Sequence, residues 1–133
     1  MIGSWTVYEV AETGSTNADL LALVGAGGAL DHTVLRAEHQ TAGRGRLDRR
    51  WDAPTGVNLL VSMLFTRPPS VPSTLTQAVG RASLDAIEHL VGERLTARLG
   101  LKWPNDLLLD GRKLSGVLAQ RCATTGAIVV GMG

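Results

Sequence analysis

Between residues 56 and 65 the chain alternates, with Val57, Leu59, Val61, Met63 and Phe65 on one side and Asn58, Leu60, Ser62 and Leu64 on the other. A two-residue period is the mark of a β-strand. The second side is itself partly apolar, so this strand belongs in a sheet covered by helices or by a second sheet. Shorter stretches of strand character occupy residues 5–10, with Trp5, Val7 and Glu9 on one face, and residues 33–38, centred on Val34 and Leu35. Further strands are expected at 98–103, stopped by Pro104, at 106–109, at 114–122 and at 127–132. Asp110-Gly111 is a strong hairpin pair, and residues 124–126 make a second turn.

Two helices interrupt these strands. After the break at Gly14, Ser15, Thr16 and Asn17 all suit an N-cap, and Asp19, three residues after Thr16, resembles the partner in a capping box. Leu20, Leu21, Leu23 and Val24 supply that helix's buried face, and residues 25–28 end it. Residues 66–73 read as a loop. From 74 to 91, Leu75, Ala78, Val79, Ala82, Ala86, Leu90 and Val91 recur at helical spacing, which makes this the longest helix. Strands in succession with two inserted helices give an α+β domain with mixed or antiparallel pairing. No internal repeat and no helix-turn-helix pattern appears.

With 133 residues and 44% hydrophobic composition, one core and one domain are expected, 1–133. Thirteen basic side chains against twelve acidic ones leave a net charge of +1, too weak a field to recruit nucleic acid or an anionic membrane. Cys122 is the sole cysteine and cannot form an internal disulfide, which fits a reducing cytoplasm. Hydrophobic runs such as 57–65 fall far short of the ~20 residues of a spanning helix. A soluble cytoplasmic protein, with no membrane partner, is the expectation.

Three segments carry chemistry. Gln40 to Trp51 in the chain reads Q-T-A-G-R-G-R-L-D-R-R-W, two glycines and four arginines without apolar periodicity. Glycines let a backbone approach a ligand, and guanidinium forks take carboxylate or phosphate; the other reading is a solvated, flexible loop. Lys102, in Lys102-Trp103-Pro104-Asn105-Asp106, ends an apolar strand and is either a fixed positive charge at a pocket rim or a strand-end lysine facing water with Trp103 in the core. Ser15-Thr16-Asn17 offers hydroxyls and free N–H groups at a helix start, for a ligand or for capping alone.

Taken together, Gly14-Ser15-Thr16-Asn17, then Glu38-His39-Gln40-Thr41-Ala42-Gly43-Arg44-Gly45-Arg46 with Arg49 and Trp51, then Lys102-Trp103-Pro104-Asn105-Asp106 and Lys113-Leu114-Ser115-Gly116 resemble the bacterial biotin protein ligases. The motifs stand in the family's order and at similar separations, over about residues 7–133. The resemblance implies a class II synthetase-like biotin/lipoate ligase catalytic domain. It also implies a two-step reaction in which biotin and ATP give biotinyl-AMP and pyrophosphate, and a lysine of a biotin carboxyl carrier protein then takes the biotinyl group.

On the same resemblance, Ser15, Thr16, Asn17, Gln40, Arg44, Gly45, Arg46, Lys102 and Gly116 would contact biotin. Arg46, Arg49, Trp51 and Asn105 would contact the nucleotide, with Trp51 near adenine or simply packed. Lys102 and Arg46 would be the catalytic pair, acting electrostatically. The donors and acceptors of Ser15, Thr16, Asn17 and Gln40 suit a ureido ring. The arginine loop would close over the intermediate and keep water from the anhydride. Mg2+ would accompany ATP, and no protein metal-ligand spacing is evident.

The chain departs from the pattern in places. Asp48 stands where the family often has glycine, and would stiffen the loop or pair with Arg49 or Arg50. Gln120 replaces a common acidic residue. After Gly133 the family continues into an asparagine-containing segment, a helix and a small β-barrel that helps bind ATP and acceptor, so the expectation is a C-terminally incomplete catalytic domain. The N-terminal winged helix-turn-helix by which some family members repress biotin synthesis genes is not seen in the pattern, and DNA is not an expected partner. A homodimer is left open, because edge pairing cannot be read from the pattern. Three alternatives differ in class: a lipoate-protein ligase, whose Arg-Arg-x-x-Gly-Gly-Gly type loop is absent; a non-catalytic biotin or adenylate-binding core; and a nucleic-acid binder using Arg44, Arg46, Arg49 and Arg50, which lacks interleaved aromatics.

Overall fold

The computed structural model describes residues 4–133. Its elements run β1 (Thr6–Thr13), α1 (Thr16–Gly25), β2 (Thr33–Gln40), a single 3-10 turn (Arg46–Asp48), β3 (Leu60–Phe65), α2 (Pro72–Val91), a one-turn α3 (Glu93–Thr96), β4 (Leu99–Lys102), β5 (Asp106–Leu109), β6 (Arg112–Arg121) and β7 (Ile128–Met132). The seven strands form one sheet in the order β1-β2-β3-β7-β6-β5-β4. Only β1 and β2 are parallel, with α1 as their crossover; every other pair is antiparallel. The mixed α+β sheet expected from the patterning is therefore the one observed.

Alternation along the central strands sorts the core into two layers. Leu64 of β3 and Val129 of β7 meet Leu20 and Val24 of α1, together with Leu35 and Cys122. The neighbouring positions Met63, Ile128 and Val130 point the other way, onto Val79 and Leu84 of α2, with Leu107 and Val117. This is why the second side of the 56–65 run is apolar. Leu23, read as buried, is 41% exposed, because α1 turns it off the stripe set by Leu20 and Val24.

Several boundaries differ from the sequence reading. The strand at 56–65 is restricted to Leu60–Phe65, because Gly56 takes φ +75° and donates its N–H to the Glu38 carbonyl at 3.0 Å, ending the ladder in a turn. β1 instead runs on to Thr13, its register with β2 holding through Thr13↔Gln40. The long helix starts at Pro72, since proline in a first turn forgoes only a donor that has no helical partner. The cap of α1 is Ser15, whose hydroxyl accepts from Ala18 N–H at 3.3 Å. Asp19 thus lies one residue beyond the capping-box position, and its carboxylate takes the Thr13 hydroxyl.

The Asp110-Gly111 turn forms as read, both residues at positive φ. Arg98 Nε donates to Asp110 at 2.9 Å, and this guanidinium holds the Asp110 carboxyl below the usual range. Among the described residues, no helix is long and apolar enough to cross a membrane.

Leu64 is fully buried between α1 and the sheet. Truncation to alanine should lower the unfolding free energy by about 3 kcal/mol in urea titrations. Leu23→Ala, on the exposed side of the same helix, should cost below about 1 kcal/mol.

Candidate functional site

The start of α1 is tied to the sheet by side chains that are buried and polar, an arrangement that is costly unless every group is paired. Ser15, Thr16, Asn17 and Ser62 are each less than a tenth exposed. Ser62 Oγ donates to Asn17 Oδ1 at 2.5 Å and lies 2.7 Å from Thr16 Oγ1. Asn17 Nδ2 donates to Gln120 Oε1 at 2.9 Å and to the Leu118 carbonyl at 3.3 Å. Gln40 Oε1 accepts from Thr16 N–H at 2.8 Å and from the Thr16 hydroxyl at 3.0 Å. These uncharged polar side chains border a cleft, and such an end suits a ligand with a neutral hydrogen-bonding group.

Glycine is required at the edge of this cluster. A Cβ on Gly131 would collide with the Asn17 carboxamide, its carbon only 2.9 Å away. Gln120 supplies an acceptor to Asn17 without adding charge.

The cleft holds about 400 Å³ and runs from Ser15, Thr16, Asn17 and Gln40, past Gly116 and Gly131, to Arg44, Gly45, Arg46, Arg49, Trp51 and Asn105. It thus gathers all but one of the side chains singled out in the sequence. The exception is Lys102. It closes the edge strand β4, paired with Asp106 of β5 and so one strand farther out, and it borders a second depression with Gln77 and Arg81 of α2. Trp103 beside it is 74% exposed and belongs to neither core layer.

The lysine that does border the cleft is Lys113. Its Nζ is 3.2 Å from Asp106 Oδ1 and 5.2 Å from the centre of the Trp51 ring. It also overhangs Gly116, where an added Cβ would meet Lys113 Nζ at 3.2 Å. In a straight strand, residues 113 and 116 would face opposite sides. The β5–β6 register shifts between Leu107 and Leu108, so Leu107 pairs with Ser115 but Leu108 with Lys113, and this bulge brings Lys113 round to the side of Gly116. Period-two reasoning had no means of seeing it.

The arginine loop is folded back as a small hairpin. Trp51 N–H donates to the Gly43 carbonyl at 2.8 Å, Gly45 N–H to Arg49 at 2.6 Å, and Arg44 bridges Arg50. Arg46 Nη1 donates to Asn105 Oδ1 at 3.0 Å. Arg50 pairs with Asp52 at 2.6 Å, and among the described residues Asp48 has no ion pair with Arg49 or Arg50. Arg44, Arg46 and Arg49 have no carboxylate at ion-pair distance among the described residues, so this end of the cleft is electropositive. Trp51 Nε1 is buried there without an acceptor. Among the described residues, no three metal-ligating side chains gather.

Residues 15–133 match the model of the biotin/lipoate A/B protein ligase family. The chain belongs to that family. It is 44% identical over 127 residues to a biotin–[acetyl-CoA-carboxylase] ligase of Mycobacterium tuberculosis, covering 93% of this chain and 47% of that protein. It is 36% identical over 136 residues to the bifunctional ligase/repressor BirA of Escherichia coli, covering 98% and 40%. The structure superposes on a biotin protein ligase from Aquifex aeolicus in complex with biotin and ATP, with a TM-score of 0.80 and 29% identity over 96% of this chain and 50% of the other. This member of the family spans about half the length of the curated relatives it matches.

Gly131→Ala should destabilise the fold by about 1–3 kcal/mol in thermal unfolding. Repeating it in an Asn17→Ala background should remove most of that increment, because the collision partner is gone.

Proposed function

We propose that this chain is the catalytic core of a biotin protein ligase. It adenylates biotin with ATP and passes the biotinyl group to a lysine of a biotin carboxyl carrier protein. The observation that carries this reading is one cleft with an uncharged, hydrogen-bonding end at Thr16 and Gln40 and a cationic end at Arg46 and Lys113. Biotin has the matching polarity, with ureido N–H donors at one end and a carboxylate at the other. Lipoate has no ureido group, so the polar end disfavours that reading.

In the first step a carboxylate oxygen attacks the α-phosphorus of ATP. The bond to the β-phosphate bridging oxygen breaks, and pyrophosphate leaves with the electron pair. Negative charge grows on the α-phosphoryl oxygens, where preorganised cations contribute most. Arg46 and Lys113 would supply that positive charge, with Asp106 holding Lys113 in position. In the second step a neutral acceptor amine attacks the acyl carbon, AMP departs, and the amine's proton passes to solvent. The loop carrying Arg44, Gly45 and Arg46 would shield the anhydride from water between the steps. Trp51 and Arg49 lie where a nucleotide would rest. Magnesium would arrive with the triphosphate, whose oxygens are its natural ligands.

The test is pyrophosphate release dependent on biotin and ATP, with lipoate as competitor and a carrier domain added afterwards. Release with biotin followed by labelling of the carrier is the expected result. Biotin binding without release would reduce the chain to a binding core, and release driven by lipoate would overturn the substrate. Lys113→Ala and Arg46→Ala should each slow release by about 100–1000-fold. Lys102→Ala, outside the cleft and solvent-screened, should slow it by less than about tenfold.

A further inference from the structure

We infer that Asn105 is a positioning residue that holds Arg46, and through it the whole arginine loop, over the cleft. The inference rests on the functional reading above but assigns Asn105 a task on the protein instead of on the nucleotide.

Asn105 sits in the turn between β4 and β5 and is fastened to β6 at two points. Its Nδ2 donates to the Val117 carbonyl at 2.9 Å, and its own carbonyl accepts the Val117 N–H at 2.9 Å. Its side-chain oxygen is what remains, and that atom accepts Arg46 Nη1. The loop's other hydrogen bonds are local: Gly45 to Arg49, Arg49 to Arg46, Trp51 to Gly43, and Arg50 to Asp52. Among the described residues, the Arg46–Asn105 bond is therefore the single hydrogen bond from residues 44–50 to the body of the sheet.

Two further features give this bond its significance. Leu47 and Asp48, at the loop tip, both take φ +57°, a left-handed conformation that side chains with a Cβ rarely adopt. Leu47 is also 81% exposed, so no packing offsets that strain. Asn105 is then what fastens this strained tip to the sheet. The partner is also a carboxamide, which orients a guanidinium without neutralising it, so Arg46 keeps its full charge for an incoming phosphate. The next residue, Asp106, opens β5 and pairs with Lys113, so two adjacent residues hold the two cations.

Amide hydrogen exchange over residues 44–50 in the ligand-free protein tests the assignment. Asn105→Ala and Arg46→Met should each speed exchange by about five- to tenfold. The double variant should be no faster than either single one, because both remove the same bond. Arg46 is exposed, so its variant keeps the test decisive even if Asn105→Ala loses its hold on β6 and unfolds. Unchanged exchange in Arg46→Met, or effects that multiply in the double variant, would overturn the assignment. Non-additivity separates positioning from simple support of the fold, which would act independently of Arg46. Exchange as expected with no pyrophosphate release would uphold the latch and sink the functional reading instead.

Discussion

The structure depends on a buried chain of hydrogen bonds from Gln120 through Asn17 and Ser62 to Thr16 and Gln40. These residues come from β6, α1, β3 and β2, so the chain fixes the start of α1 against three strands at once. Leaving any one of these polar groups unpaired would cost roughly 1–3 kcal/mol. Apolar packing of Leu20 and Val24 sets how close α1 lies to the sheet, but packing is non-directional. The polar chain fixes the rotation and endpoint of the helix, and with them the end of the cleft.

At the other end, charge replaces hydrogen-bond matching. Arg44, Arg46 and Arg49 come from a loop with no apolar anchor, while Lys113 comes from a strand kinked by a bulge. One side of the site is therefore adjustable and the other rigid. That division suits a reaction in which a polyanion must enter, react under cover and leave in pieces. Gly116 and Gly131 mark where the two halves meet, each bare because a neighbouring side chain, Lys113 or Asn17, fills the space of its Cβ.

Much of this was legible in the sequence. The alternation at 56–65, the helical spacing at 74–91 and the Asp110-Gly111 turn each express a local rule, and each element formed, the strand over its 60–65 part. The family was legible from four motifs, none decisive alone, because their order along the chain is hard to produce by chance. What stayed hidden were facts that depend on pairing between distant segments. That Lys113 lines the cleft and Lys102 does not was hidden because the β5–β6 bulge is a property of two strands. The strand start at Leu60 instead of Gly56 depends on a bond to Glu38 in another strand. The exposure of Trp103 likewise follows from the place of β4 at the sheet edge, which composition does not reveal.

The most direct measurement is a calorimetric titration of biotin into the parent chain and into Thr16→Val, which keeps the side chain's shape and removes only its hydroxyl. If the start of α1 recognises the ligand, the variant should bind biotin at least about tenfold more weakly while remaining folded. Equal affinity in the two proteins would place biotin elsewhere and contradict the account of the cleft.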